Sequence, residues 1–136
     1  MILTDTGPLY ALVSPADTYH ERCFKVWNDL DTDVLLTTWP CFTEAMHLAG
    51  RGREYRFQSL LWEMQHSGQI RIHSNTDLEA SRMYGLMSQY RDTPMDLADA
   101  SLMAAAESLS LRHIFTLDSG FLFYLLTDGT VLEVIR

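Results

Sequence analysis

Residues 2–8 read ILTDTGP, a short apolar run followed directly by an aspartate and by turn-forming glycine and proline. A short apolar run with these boundaries predicts a buried β-strand at residues 2–4, closed by a turn at residues 5–8. Similar runs recur along the chain. They predict further strands at residues 34–37, 70–73, 114–117 and 131–135.

Helical patterns occupy the segments between these runs. Thr18 with Glu21, and Thr76 with Glu79, have the spacing of a capping box, which predicts that a helix begins at each pair. Helical spacing of apolar residues predicts helices over residues 18–30, 40–49, 57–67, 76–90, 96–109 and 121–126. The inner face of the helix that follows Thr76 is predicted to consist of Ala80, Met83, Tyr84, Met87 and Tyr90.

Strands that alternate with helices predict the fold class. Parallel strands need a crossover connection, which is usually a helix, and the helices then cover both faces of the sheet. We therefore expect an α/β protein, a three-layer α/β/α sandwich with a mostly parallel central sheet. A length of 136 residues without a linker or an internal repeat predicts one domain over residues 1–136.

Composition and charge exclude several classes of protein. Hydrophobic residues make up 47% of the chain, enough for a core, which excludes disorder. Cys23 and Cys41 lack CxxC spacing, so a disulfide framework and a thiolate zinc site are not expected, and a reducing cytoplasm is the predicted compartment. No apolar run approaches the ~20 residues of a membrane span. The formal charge of −8 should repel nucleic acid, unless a carboxylate cluster binds divalent cations.

Five acidic residues fall where such a cluster could form. Ligands of open α/β sheets bind outside the carboxyl ends of the strands, and Asp5 and Asp118 follow two predicted strands. Asp96 and Asp99 share one face of the first turn of a helix, and Glu44 lies on a largely apolar helix. Each acid also has a purely structural interpretation as a turn residue, a helix cap or a solvated side chain. Together they suit Mg²⁺ or Mn²⁺, which prefer oxygen ligands.

The ordered set of motifs resembles the PIN domain, a nuclease fold that includes the VapC-type toxins of toxin–antitoxin pairs. The resemblance covers nearly the whole chain. It is carried by ILTDTGPL at residues 2–9, TE at 43–44, PMDLADA at 94–100 and FTLD at 115–118.

The resemblance implies a role for each matched residue. Asp5, Glu44, Asp99 and Asp118 match the four acidic positions of the family, and Asp96 matches a more variable fifth position. Thr116 matches the Ser or Thr that steadies the site by hydrogen bonding, with Thr6 of the first motif as a second supporting residue. The implied activity is hydrolysis of RNA with Mg²⁺ or Mn²⁺. A homodimer and, for a toxin, a small antitoxin partner are also implied.

Three arginines follow the predicted Glu44 helix. Arg51, Arg53 and Arg56 could contact backbone phosphates of RNA, and they could equally form a solvated helix face.

Two other functions remain open from the sequence. A PIN-like fold with idle acids would bind only RNA or a protein. A di-iron carboxylate protein would use the Glu-x-x-His pairs Glu44/His47 and Glu63/His66, but such a bundle needs four long helices, whereas five runs here predict strands.

Overall fold

The computed structural model describes residues 1–136 and contains five strands and six α-helices. The strands are β1 (Ile2–Thr4), β2 (Leu35–Thr38), β3 (Ile70–His73), β4 (His113–Phe115) and β5 (Glu133–Ile135). The helices are α1 (Thr6–Val13), α2 (His20–Asp29), α3 (Trp39–Ala49), α4 (Tyr55–His66), α5 (Asp77–Gln89) and α6 (Leu97–Leu109). A short 3₁₀ helix, Ser119–Leu122, follows β4.

All five strands form one parallel sheet in the order β3-β2-β1-β4-β5. The chain builds outward from β1 to β3 on one side and then from β4 to β5 on the other. The strand order therefore reverses between β1 and β4, which places a crevice at the carboxyl ends of these two strands. Here the sheet is wholly parallel, where the sequence predicted a mostly parallel one.

Successive side chains of the strands pack alternately into two separate hydrophobic cores, one on each face of the sheet. In β1, Ile2 packs into the core beneath α1 to α4, while Leu3 packs into the core beneath α5 and α6. In β2, Leu35 and Leu36 divide in the same way. Because successive strand side chains point to opposite faces, strands with buried apolar residues on both faces must be covered on both sides. The predicted three-layer α/β/α class is confirmed.

The predicted turn at residues 5–8 is wrong, because α1 begins directly at Thr6. Asp5 is its N-cap, and the Asp5 carboxylate accepts a hydrogen bond from the Thr6 backbone N–H at 2.7 Å. Pro8 is tolerated because the first turn of a helix needs no intrahelical N–H donors. The apolar residues of α1 are buried around most of its circumference, so the segment lacks the one-sided periodicity that marks a helix.

Two other helix predictions need correction. Thr18 does not cap α2, which begins at His20. The N-cap residue is Tyr19, and its side chain makes no capping hydrogen bond. The inner face of α5 is only partly the predicted one: Met83 is buried, and Met87 and Tyr90 pack against the core, as predicted. Tyr84 is 82% exposed and Ala80 is exposed, whereas Glu79 and Leu86 are buried in addition. The buried carboxylate of Glu79 causes the difference, because a charged residue is normally assigned to the outer face.

The end of the chain also differs in detail. The helix predicted at residues 121–126 is the 3₁₀ helix Ser119–Leu122, and β5 begins at Glu133 rather than at Val131. No helix of the structure has the length and apolar character needed to cross a membrane.

Candidate metal centre

The crevice between β1 and β4 is organised by one hydroxyl group. Thr116 lies one residue beyond β4, and its Oγ1 donates a hydrogen bond to Asp5 Oδ2 at 2.8 Å. The same Oγ1 accepts from the backbone N–H of Asp118 at 2.9 Å. Thr116 therefore orients Asp5 and places the backbone of Asp118, although these two acids are far apart in sequence.

The start of α6 supplies a third acid. Asp96 is the N-cap, and its Oδ1 accepts from the Asp99 N–H at 2.8 Å, while Asp99 Oδ2 accepts from the Asp96 N–H at 3.3 Å. This reciprocal capping box holds the Asp99 side chain close to the helix end. Asp96 and Asp99 therefore do cap the helix, as in their structural interpretation. The same bonds hold Asp99 at the crevice.

Three carboxylates converge at this point. Asp5, Asp99 and Asp118 each offer one oxygen, and the three oxygens lie within 4.8 Å of one another. Asp5 is 7% exposed and Asp99 is 5% exposed, while Asp118 faces solvent. None of the ion pairs of the structure includes any of the three. No other group of His, Cys, Asp and Glu side chains brings three ligand atoms this close together.

This arrangement opposes ionisation of the buried acids. Burial raises the pKa of Asp5 to about 6, although the hydrogen bonds from Thr6 and Thr116 act in the other direction. Burial, followed by the charges of Asp96, Asp5 and Asp118, raises the pKa of Asp99 well above its ordinary value. A bound divalent cation would remove this penalty by compensating the negative charge.

Glu44 lines the same cleft as the three aspartates and is exposed. Thr6 Oγ1 donates a hydrogen bond to Glu44 Oε2 at 3.1 Å, so the first turn of α1 holds this side chain. Glu44 and Asp96 border the same cleft of about 310 Å³ but lie outside the group of three converging oxygens. The cleft is lined by Asp5, Thr6, Gly7, Glu44, Leu48, Asp96, Asp99, Leu117 and Asp118.

Tyr124 is a neighbour of the acids that sequence reasoning missed. Its side chain is buried, and burial together with the charges of Asp99, Asp118 and Asp96 raises the pKa of Tyr124 to about 12. Gly120 is the one residue in the sequence that could have pointed to this close packing, because a Cβ at this position would lie 2.8 Å from the Tyr124 hydroxyl. The Gly120 N–H donates to Asp118 Oδ1 at 2.9 Å, so the glycine lets Tyr124 pack beneath the loop that carries Asp118.

Cys41 also packs against the centre. Its Sγ lies 3.9 Å from Asp5 Oδ1, and burial together with the Asp5 charge raises the pKa of the thiol to about 12. The thiol therefore stays protonated at neutral pH and is neither a nucleophile nor a thiolate ligand there.

The three arginines lie outside the cleft. Arg51 and Arg53 are exposed in the turn between α3 and α4, and Arg56 pairs with Glu54 at 2.8 Å and stacks on Phe57. The di-iron ligand set is also not assembled. Glu63 and His66 line a separate surface of α4, and the α/β fold is not a four-helix bundle, so this alternative is wrong.

No family model and no curated protein sequence matches this chain. Solved structures do match it along its whole length. Mycobacterium tuberculosis VapC20, described as a sarcin-ricin loop cleaving toxin, has a TM-score of 0.83 at 18% identity and covers 100% of both chains. FitAcB from Neisseria gonorrhoeae has a TM-score of 0.70 at 20% identity and covers 100% of this chain and 97% of the other. FitAB bound to a DNA fragment has a TM-score of 0.69 at 16% identity, covering 99% and 94%. The predicted PIN-like fold is thereby confirmed.

Proposed function

We propose that this chain, which has the fold of VapC-like PIN domains, is an endoribonuclease that depends on a divalent metal ion. One observation carries the proposal: three carboxylate oxygens, from Asp5, Asp99 and Asp118, meet at the switch point of a parallel sheet without a positively charged partner. A fold places a cluster of this kind at considerable electrostatic cost, so a structural role alone does not account for it.

The donor set fits Mg²⁺ or Mn²⁺. All the converging atoms are carboxylate oxygens, which suit these cations, and no thiolate or imidazole joins them to favour zinc. We assign Asp5, Asp99 and Asp118 as the ligands. An ion bound there would supply Lewis-acid stabilisation of the phosphodiester and would lower the pKa of an attacking water.

The remaining residues of the cleft position these groups. Thr116 orients Asp5 through its hydroxyl, and Asp96 holds Asp99 through the capping box. Glu44 is restrained by Thr6 at the border of the cleft, where its carboxylate can accept hydrogen bonds from a water or a ribose hydroxyl. We assign Glu44 as the fourth acidic residue of the reaction and Asp96 chiefly as a positioning residue.

Binding of RNA would rest partly on the bound cation. The formal charge of −8 repels a polyanion, whereas a cation at the cleft makes the site locally attractive to phosphate. Arg51 and Arg53 offer exposed guanidinium groups for backbone phosphates further along the strand. Arg56 would have to give up part of its pairing with Glu54 to do the same.

The similar structures favour a toxin of a toxin–antitoxin pair. VapC20 is described as a sarcin-ricin loop cleaving toxin, and FitAB was solved bound to a DNA fragment. From the family resemblance we further propose a homodimer and a small antitoxin that holds it inactive, and the two free cysteines favour the cytoplasm. An arginine from such a partner would reach the carboxylate cluster as a natural inhibitor. A short adjacent gene for a DNA-binding protein would distinguish the toxin from a housekeeping nuclease.

Cleavage of RNA by the purified protein tests the proposal. We expect fragments in the presence of Mg²⁺ or Mn²⁺, none with a chelator, and none from Asp5→Asn or Asp118→Asn. Asp33→Asn, which changes an exposed aspartate away from the cleft, is the matched control and should keep full activity. Cleavage that survives chelation would refute the proposal. Metal-independent RNA binding without cleavage would instead support an idle PIN-like binding module.

A further inference from the structure

A second depression, of about 650 Å³, opens beside the acidic cleft and shares Glu44 and Asp96 with it. Residues 39–47 of α3 and the start of α6 form its two walls. We call it the Trp39 groove, and apart from the two shared acids it is lined by Trp39, Pro40, Thr43, His47, Leu97 and Ala98. Its walls are thus largely apolar, whereas five of the nine residues that line the neighbouring cleft are acidic.

The indole of Trp39 is held in place although it is 46% exposed. Its Nε1 donates a hydrogen bond to Ser74 Oγ at 3.1 Å. Its ring meets the buried ring of Phe42 edge to face, with centroids 6.0 Å apart and an angle of 81° between the planes. A large aromatic surface is therefore fixed in orientation and open to a ligand. Leu97, 52% exposed on α6, faces the same groove.

The position of the groove indicates its occupant. A phosphodiester bound at Asp5, Asp99 and Asp118 belongs to a continuous strand, so a neighbouring nucleotide must leave the cleft through an adjoining surface. The Trp39 groove adjoins the cleft at Glu44 and Asp96. Nucleobases have flat apolar faces that stack on exposed aromatic side chains, and this is how proteins commonly bind unpaired RNA.

We propose that the Trp39 groove binds an unstacked nucleobase adjacent to the phosphodiester that is cut, with Trp39 as its stacking platform. This inference rests on the proposed ribonuclease function and specifies its substrate class. A base in a duplex is stacked and paired, so it cannot enter the groove. The groove therefore requires the base beside the cleavage site to be unpaired.

Kinetics of two variants with a matched control test this assignment. Trp39→Ala should raise KM for a single-stranded RNA oligonucleotide on the order of tenfold and leave kcat nearly unchanged, because stacking binds substrate and transition state alike. Trp39→Phe retains an aromatic ring and should recover most of the loss. Tyr84→Ala removes an aromatic side chain that is 82% exposed on α5 and should have no effect.

An abasic substrate identifies the base itself. Replacing one nucleotide beside the cleavage site by an abasic ribose should raise KM for the wild type and add no further loss for Trp39→Ala. Quenching of intrinsic fluorescence on titration with the oligonucleotide in chelator should be present in the wild type and reduced in Trp39→Phe.

These readouts separate the two hypotheses. Base-dependent quenching without metal-dependent cleavage would refute the nuclease and keep the base site. If Trp39→Ala cleaves RNA like the wild type, and the wild type cleaves the abasic and the intact substrates equally well, the base site is overturned. The groove would then be left to a side chain of a protein partner.

Discussion

Two carboxylates of this protein are equally buried but have opposite surroundings. Glu79 and Asp99 are each 5% exposed. Glu79 accepts hydrogen bonds from His73 Nε2 at 2.6 and 2.8 Å and from Asn75 Nδ2 at 3.2 Å. Asp99 accepts a bond from its capping partner Asp96 and otherwise faces the negative charges of Asp5 and Asp118.

The difference distinguishes an acid with a structural role from a proposed metal ligand. Glu79 is partnered within the chain, so its bonds tie the end of β3 to the start of α5 and need no further group. Asp99 lacks a positive partner in the chain and is placed among like charges, an arrangement that an added cation would compensate. Equal burial therefore says little about function, and the partners of a buried charge say much more.

The largest contrast is expected in activity. Asp99→Asn removes a proposed ligand and should lower metal-dependent RNA cleavage by about 100-fold or more, the size expected when one electrostatic contact to the reacting group is lost. Glu79→Gln keeps an acceptor for His73 and should remain close to the wild type. The rates are to be compared under single-turnover conditions. Equal losses in the two variants would show that the two acids do not differ in role.

Metal binding should appear as stability even without RNA. At a metal concentration of about 100 times Kd, an ion that binds only the folded state adds roughly 2.7 kcal/mol to the free energy of unfolding. We expect Mn²⁺ to raise the melting temperature of the wild type, of Glu79→Gln and of Asp33→Asn. It should have little effect on Asp99→Asn. Calorimetry or thermal fluorescence measures this, and an equal rise in Asp99→Asn would exclude Asp99 as a ligand.

In the metal-free protein, loss of the Glu79 carboxylate should lower the free energy of unfolding, whereas loss of the Asp99 charge should not. Glu79→Ala leaves His73 and Asn75 without their buried acceptor, which costs about 1–3 kcal/mol. Asp99→Asn removes like-charge repulsion and keeps an oxygen for the capping box, so it should leave stability in chelator unchanged or slightly higher. Urea denaturation compares the two. Strong destabilisation by Asp99→Asn would mean that its capping role outweighs the repulsion.

A further effect is expected in the pH dependence of the metal-free protein. The pKa of Asp5 is raised from 3.8 to about 6 on folding, so between these pH values the folded state binds more protons than the unfolded state. The contribution of Asp5 to stability is therefore complete below pH 4 and is lost as the pH rises through 6. Melting curves in chelator should show a smaller fall in stability over this range for Asp5→Asn than for the wild type. Parallel curves would contradict the raised pKa.

Much of this architecture could be predicted from local patterns. The five strands were located to within a few residues, because strands of a parallel sheet covered on both faces form short, largely apolar runs. The convergence of Asp5 and Asp118 was also predictable, since the carboxyl ends of neighbouring parallel strands share one edge. The helix α1 was missed because burial on most sides removes its periodicity, and the inner face of α5 was partly misplaced because Glu79 is a buried acid with a partner from β3.

The order of strands and acids along the chain was enough to identify the fold and to nominate the acidic residues, since both depend on residue type and spacing alone. Tertiary structure separated those acids into Asp5, Asp99 and Asp118, which share one point, and Glu44 and Asp96, which border it. It also brought Tyr124 beneath the site and opened the Trp39 groove next to it. These features depend on the positions of the helices on the sheet to within a few ångströms. Packing between segments that are distant in sequence sets those positions.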